Sequence, residues 1–545
     1  LNTHLNIPAR RSSRRARAAL AGLVALLSTS LMIVTANPAQ AAYTQIEGSG
    51  STWSQGIVSQ WIADVDANGM KITYNGAGSS QGRKDFASNV TDFGITEIPY
   101  QGKDEFGAVD TAGSREFAYM PIVAGGTAFT YQVLVGGKPV KDLRLSGDTI
   151  AKIFTNQITN WNDPAITKDN NGRKLPSLTI VPVVRSDGSG TTAQFTAWLD
   201  KQFPSIWQPY FGKSGLTSYY PKKSGSKMIG AAGSDQVMNT ISSKQGNGSI
   251  GYVEYSYPVN KKYPVVKVLN KAGYFVEPTQ YNVAVALTKA QINTDASSQA
   301  YLTSILDGVY TSTDPRAYPL SSYSYMLLPT GAKDQRMTTS KRQTLTDFMF
   351  YSLCQGQSKA GPYGYSPLPL NLVQAGFDQL KKLSVADPAV DFKDRDVTKC
   401  NNPTFVAGDL SKNKLAEIAP QPPACDKVGA GPCGLETGKA PTTPEAAKNG
   451  KPSDSSAAPV AAAPSGAAPA AVDPETGVAA PAAAATTDTS QAAVAVPTEL
   501  VAGRAGDTKV FGALAALELL AIILAPGVGA VYFKRRARRR QGAWS

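Results

Sequence analysis

Three short stretches of this chain share one design. "EGSGSTW" (Glu47 to Trp53), "GAGSSQG" (Gly76 to Gly82) and "RSDGSGTT" (Arg185 to Thr192) each join an apolar run to a segment of helical pattern. Each mixes glycine with serine or threonine. Such a turn aims backbone N–H groups outward at the positive end of a helix and adds hydroxyl donors, a combination suited to an anion. One turn of this kind serves equally well to reverse the chain and cap a helix. Three of them, one headed by Arg185, point to a shared oxyanion. Arg185 offers two parallel hydrogen bonds to a tetrahedral anion, and Asp187 stands where it can hold the guanidinium. None of the turns has the GxxxxGK[ST] spacing of a nucleotide phosphate loop. "LVGGKPV" fails it because Pro139 follows Lys138 and Gln132 stands where the first glycine belongs.

The stretch "VTDFGITEIPY" (Val90 to Tyr100) supplies two acids, Asp92 and Glu97. A carboxylate belongs in an anion site when the anion still carries a proton to donate. Phosphate does so near neutral pH and sulfate does not. A fully ionised anion would be repelled by several kcal/mol in a dry cleft. The only histidine is His4, in a segment read below as a removable signal. A Ser-His-Asp triad, a histidine general base and histidine metal ligation are therefore excluded from the mature chain. No cofactor is implied.

The elements that must position these turns alternate. "MKITYNGAG" and "LTIVPVVR" read as strands running into glycine turns. "TWSQGIVSQWIADV" carries Trp53, Ile57, Val58, Trp61, Ile62 and Val65 as a helical stripe. Strands alternating with helices predict an α/β fold with parallel pairing. Residues 43 to 384 have globular composition and are long enough for two lobes. Residues 385–435 are polar, carry three of the four cysteines and read as a disulfide-containing extension. Residues 436–508 are rich in alanine and proline and are expected to form a disordered linker.

The net charge of +13 on 545 residues is not a nucleic-acid signal. Five arginines fall within residues 1–41 and six basic residues within "KRRARRR" (534–540), leaving +2 between them. Residues 1–41 read as a signal peptide ending in Ala39-Gln40-Ala41. Residues 511–533 are apolar enough for one C-terminal transmembrane helix, and 534–545 form a basic tail expected on the cytoplasmic side. The body would then lie on the extracellular side of the membrane. Cys354, Cys400, Cys425 and Cys433 allow three pairings. Cys354–Cys400 with Cys425–Cys433 is favoured because the second closes a short loop.

Six motifs, in order, resemble one known family: "GSGSTW", "YNGAGSSQG", "TDFGITEIP", "IFTNQITNWNDPAI" (153–166), "VVRSDGSGTT" and "GSIGYVEYSY" (248–257). The family is the phosphate-binding subunit of the ABC-type phosphate uptake system, a periplasmic-type substrate-binding protein. The likeness runs from about Tyr43 to about Leu383. It implies a two-lobe type II fold with lobe 1 from 42–124 and 256–384 and lobe 2 from 125–255. The hinge crossings would fall near Pro121–Gly126 and Tyr255–Pro258. It implies a monomer that holds inorganic phosphate in its cleft and delivers it to ABC permease subunits, without chemistry. Carried over by position, the ligands are Thr52 and Trp53 from the first turn, Ser79 from the second, then Arg185, Ser189, Gly190 and Thr191. Glu97 would be the acceptor of the phosphate proton, and Ser51, Asp92 and Asp187 would support the site. Glu97 stands where the family has aspartate, and Trp53 where phenylalanine is usual. The alternatives are an extracellular phosphatase on the same cradle, a membrane-anchored adhesin that keeps the fold, and a related oxyanion such as sulfate or arsenate, of which the carboxylate argues against sulfate only.

Overall fold

The computed structural model describes residues 43–445 apart from 398, 399, 407, 410 and 442. The signal peptide, nearly all of the linker, the 511–533 span and the basic tail lie outside the described residues. Among the described residues no helix is long and apolar enough to cross a membrane.

The chain opens as the glycine turns predict. Strand β1 (Ile46–Gly50) passes through Ser51–Ser54 into α1 (Gln55–Asp66), which buries Ile57, Val58, Trp61 and Val65. Strand β2 (Ile72–Asn75) leads to α2 (Ser79–Ala87), and β3 (Phe93–Thr96) follows. β1 pairs in parallel with both β2 and β3. Parallel strands are covered on both faces, which is why β3 is buried along its whole length.

A long strand, β4 (Phe117–Tyr131), joins the halves of the molecule. A two-residue strand β5 (Arg144–Leu145) comes next. The second half then repeats the first: β6 (Val181–Arg185) turns into α3 (Gly190–Gln202), and β7 (Ile229–Ala231) turns into α4 (Gly233–Ser242). β8 (Ser249–Glu254) follows, then β9 (Lys267–Leu269), β10 (Phe275–Val276), α5 (Gln280–Leu287), β11 (Ser321–Pro329) and α6 (Thr339–Leu353). The main sheet has the order β7-β6-β8-β4-β11-β3-β1-β2.

β4 changes partner along its length. From Phe117 to Gly126 it pairs antiparallel with β11, and from Thr127 to Tyr131 with β8. The outward crossing therefore falls at Gly125-Gly126, within the expected stretch. Both glycines serve close approach: a Cβ on Gly125 would lie 2.7 Å from the Trp53 ring and one on Gly126 2.4 Å from Pro278. The return crossing comes later than the sequence suggested. Residues 256–276, expected in lobe 1, stay with the second half, because β9 pairs with β5 and Val266 N–H donates to Phe129 O. The apolar run "YPVVKVL" is a strand edge whose partner lies more than a hundred residues earlier, so nothing local marks it.

Both expected disulfides form, Cys354–Cys400 and Cys425–Cys433. The extension is a strap lying against both halves. Cys400 is bonded to the end of α6, and Asn402 and Thr404 donate to Leu368 O. Further on, Arg144 donates to Cys425 O (3.0 Å) and Lys267 pairs with buried Asp426 (2.7 Å). Residues 436–441, expected at the head of the disordered linker, are also packed. Thr437 accepts from Val265 N–H (2.9 Å) and donates to Val265 O (2.7 Å), and Gly438 N–H donates to Glu277 (3.0 Å). A composition poor in aromatics hid this, since backbone pairing supplies the attachment.

Glu254 ends β8 beside the crossing and is fully buried, its Oε2 accepting from Ser256 N–H (2.6 Å). Burial pushes its carboxyl well above the ordinary range, only partly offset by hydrogen bonds from Ser256, Tyr255 and Tyr365. The folded state then holds this proton to higher pH than the unfolded chain does. Stability is full below the ordinary carboxylate range and falls as pH rises through the raised folded value. Thermal melts at about pH 5 and about pH 8 should show a smaller loss of Tm in Glu254→Gln than in the unaltered chain.

Candidate anion-binding site

The turns after β1, β2, β6 and β7 all lie at the carboxyl ends of parallel strands, where open α/β sheets gather ligand groups. They meet face to face, two from each half. The Thr52 and Ser234 hydroxyls are 2.9 Å apart, and Ser234 N–H donates to Thr52 Oγ1 (3.3 Å). Tyr257 OH donates to Thr52 O. Ser80 N–H donates to Gly188 O (3.1 Å), and Gln194 reaches across to Glu97 O (2.8 Å).

Arg185 is buried at the end of β6. Its Nε donates to Asp187 Oδ1 (2.7 Å) and its Nη2 to Asp187 Oδ2, while Nη1 lies 3.4 Å from Ser234 Oγ. Asp187 also accepts from Gly233 N–H (2.9 Å), so one carboxylate aims the guanidinium and fixes the fourth turn. Burial alone would raise the Asp187 carboxyl. The Arg185 charge and these hydrogen bonds outweigh it and hold the group below the usual carboxylate range. For Arg185 burial works against the charge, and Asp187 reverses the balance to leave its pKa raised.

Glu97 follows β3 and is the second focus. Its Oε2 accepts from Ser79 Oγ (2.7 Å) and its Oε1 from Ser324 Oγ (2.8 Å). Ser79 in turn accepts from Gly190 N–H (3.1 Å), the first amide of α3. Burial raises the Glu97 carboxyl, and hydrogen bonds from Ser51, Ser79 and Ser324 with the Arg185 charge offset it only in part. A Cβ on Gly190 would lie 2.1 Å from Glu97 Oε2 and 2.5 Å from Ser79 Oγ. Only glycine admits the carboxylate so near the helix start, which favours negative charge.

The expected donors divide by role. Ser51 Oγ accepts from the N–H groups of Trp53 (2.9 Å) and Ser54 (3.4 Å), so it gathers the first turn. Trp53 is buried edge-on to Tyr365, its ring centroid 5.9 Å away. Ser189 is the N-cap of α3, accepting from Thr192 N–H (3.1 Å). The Thr191 hydroxyl is buried, converges on the same helix start and has no hydrogen-bond partner among the described residues. Asp92 is not in the site. It precedes β3 whereas Glu97 follows it, and a strand of that length separates them by about 15 Å. There Asp92 accepts from Glu47 N–H (2.8 Å) and pairs with Arg336 (2.8 Å) and Lys341 (2.8 Å).

Ser234, Ser324, Gln194 and Tyr257 were not anticipated. "AAGSDQ" (231–236) repeats the strand–glycine–serine–helix pattern and was findable on that ground. Ser324 is one hydroxyl among aromatics in β11 and carries no local signal. Buried hydroxyls, a paired arginine, a helix start and a carboxyl of raised pKa together suit a tetrahedral oxyanion that brings its own proton.

A family model described as a PBP superfamily domain matches residues 35–355. The phosphate-binding protein PstS of Xylella fastidiosa is 32% identical over 336 residues, spanning 62% of this chain and 84% of that protein. The phosphate-binding protein PstS 2 of Mycobacterium tuberculosis is 30% identical over 331 residues, spanning 60% and 83%. A solved phosphate-binding protein from Stenotrophomonas maltophilia is 16% identical, with a TM-score of 0.45 over 61% of this chain and 92% of that one.

Gly190→Ala forces its new methyl into Glu97 and should cost about 1–3 kcal/mol of stability in urea unfolding. Adding Glu97→Ala should recover part of that loss, since the two side chains share one space.

Proposed function

The chain belongs to the PBP superfamily and, within it, to the family of the phosphate-binding protein PstS, and on that premise we propose that it captures inorganic phosphate between its two halves and delivers it to an ABC importer. The observation that carries this reading is the meeting of Arg185–Asp187 from one half with Ser79–Glu97 from the other around the start of α3, with Arg185, Ser79 and Glu97 buried and Asp187 partly so. Arg185, the Thr52 and Ser79 hydroxyls, Thr191 and the α3 amides supply donors. Glu97 supplies an acceptor for the proton that phosphate retains and sulfate lacks. Asp187 fixes the orientation of the guanidinium and holds Gly233 in place.

The protein acts by binding and release. Closure brings donors from both halves onto one anion, so the ligand favours the closed state through contacts the open state lacks. The exported location and the C-terminal anchor are part of the same reading, supported by the apolar segments and by the basic cluster after residue 533.

Calorimetric titration of the intact chain in detergent, after removal of bound anion, tests this. Phosphate should bind with submicromolar affinity and sulfate far more weakly. Arg185→Lys loses the two-pronged geometry and should weaken phosphate by about 10- to 100-fold. Glu97→Gln should narrow the gap between phosphate and sulfate. Failure of either anion to bind would overturn the proposal.

A further inference from the structure

A second contact joins the halves, beside the anion site and apart from its donor groups. Residues 102–110 form a hairpin on the first half, with Gly102–Lys103 antiparallel to Val109–Asp110. Its base is fixed there, because Asp110 pairs with Arg83 of α2 (2.8 Å), both buried. Its tip is shaped by Asp104, which accepts from the N–H groups of Phe106 (3.0 Å) and Ala108 (2.8 Å). The hairpin therefore keeps its shape without help from the second half.

Opposite lies the segment 217–219, fixed just as firmly to the second half. Thr217 N–H donates to Thr196 Oγ1 of α3 (3.0 Å), and that hydroxyl donates back to Thr217 O (2.9 Å). Between the two, Glu105 Oε1 accepts from the Thr217 hydroxyl (3.0 Å) and from Ser218 N–H. The Phe106 ring meets Tyr219 edge-on, centroids 4.9 Å apart, although Phe106 is otherwise 75% exposed. Ser218 O accepts from Ser189 N–H (2.9 Å), so this contact reaches the cap of α3 itself.

We propose that the tip of this hairpin, through Glu105 and Phe106, is a latch that sets how long the halves stay closed on phosphate. The proposal rests on the phosphate reading above. Each partner is anchored to a different half, so the bonds exist only after closure. They add to the closed state and give nothing to the encounter of ligand with the open state. The latch therefore acts on release and leaves capture alone. Glu105 is a positioning residue, since the ligand groups lie on the other side of the Ser189 cap.

Stopped-flow measurement of phosphate capture and release tests it on the intact chain. Glu105→Ala should release phosphate roughly 5- to 10-fold faster with an unchanged association rate. Glu105→Gln, which keeps an acceptor oxygen, should restore part of the difference. Thr217→Val removes the facing hydroxyl, and combining it with Glu105→Ala should add little. Melting of the ligand-free protein should be unchanged by Glu105→Ala. Equal release from all these proteins overturns the latch, as does a matching change in association and release. Absence of phosphate binding by the unaltered chain overturns the underlying reading and the latch with it.

Discussion

A guanidinium cannot be buried alone, and the neighbourhood of Arg185 is the working-out of that constraint. Removing its charge from water costs several kcal/mol, so a partner must be held in good geometry with its remaining lone pairs satisfied. Asp187 is that partner, and its second duty to Gly233 N–H draws the β7–α4 turn beside the β6–α3 turn. Ser234 then stands within reach of Thr52 on the opposite half. The pair thus places one turn from each half at a single point. Glycines follow from the same crowding: Gly78 leaves no room for a Cβ, which would fall 2.6 Å from Asp187 Oδ2.

Glu97 is the counterweight. Alone, Arg185 would attract any small anion. In the proposed reading, a buried carboxylate makes the site conditional on what the anion can donate. The length of the Glu97 side chain sets where its carboxylate lies. It carries Oε2 to Ser79 and to the face of Gly190, so the carboxylate rests at the helix start itself.

What was legible in the sequence is what is local. The three turns announce themselves because glycine, hydroxyl residues and helix start are consecutive, and the structure brings all three to one place. The short Cys425–Cys433 loop was readable for the same reason. Asp92 shows the failure of proximity in sequence: the few residues separating it from Glu97 form a strand, and an extended strand puts its ends far apart. There Asp92 balances Arg336 and Lys341. Ser324 and the pairing of β9 with β5 depend on partners distant in the chain. Residues 436–441 look like linker because their attachment is made by backbone amides and one threonine, which composition does not weigh.

The strap also fixes a load path. A pull on the chain at Glu445 reaches the Pro441–Gln280 and Ala440–Tyr255 contacts before those of Gly438 with Glu277, Thr437 with Val265 and Glu436 with Lys141, and then the Cys425–Cys433 loop seated on Arg144 and Lys267. From Thr437 inwards these partners, Val265, Lys141, Arg144 and Lys267, all lie on the second half. Tension would have to strip them in turn before reaching Cys400 and its covalent attachment to α6 on the first half. The strap therefore passes a load to Gln280 of α5 and then along the second half before any of it reaches α6.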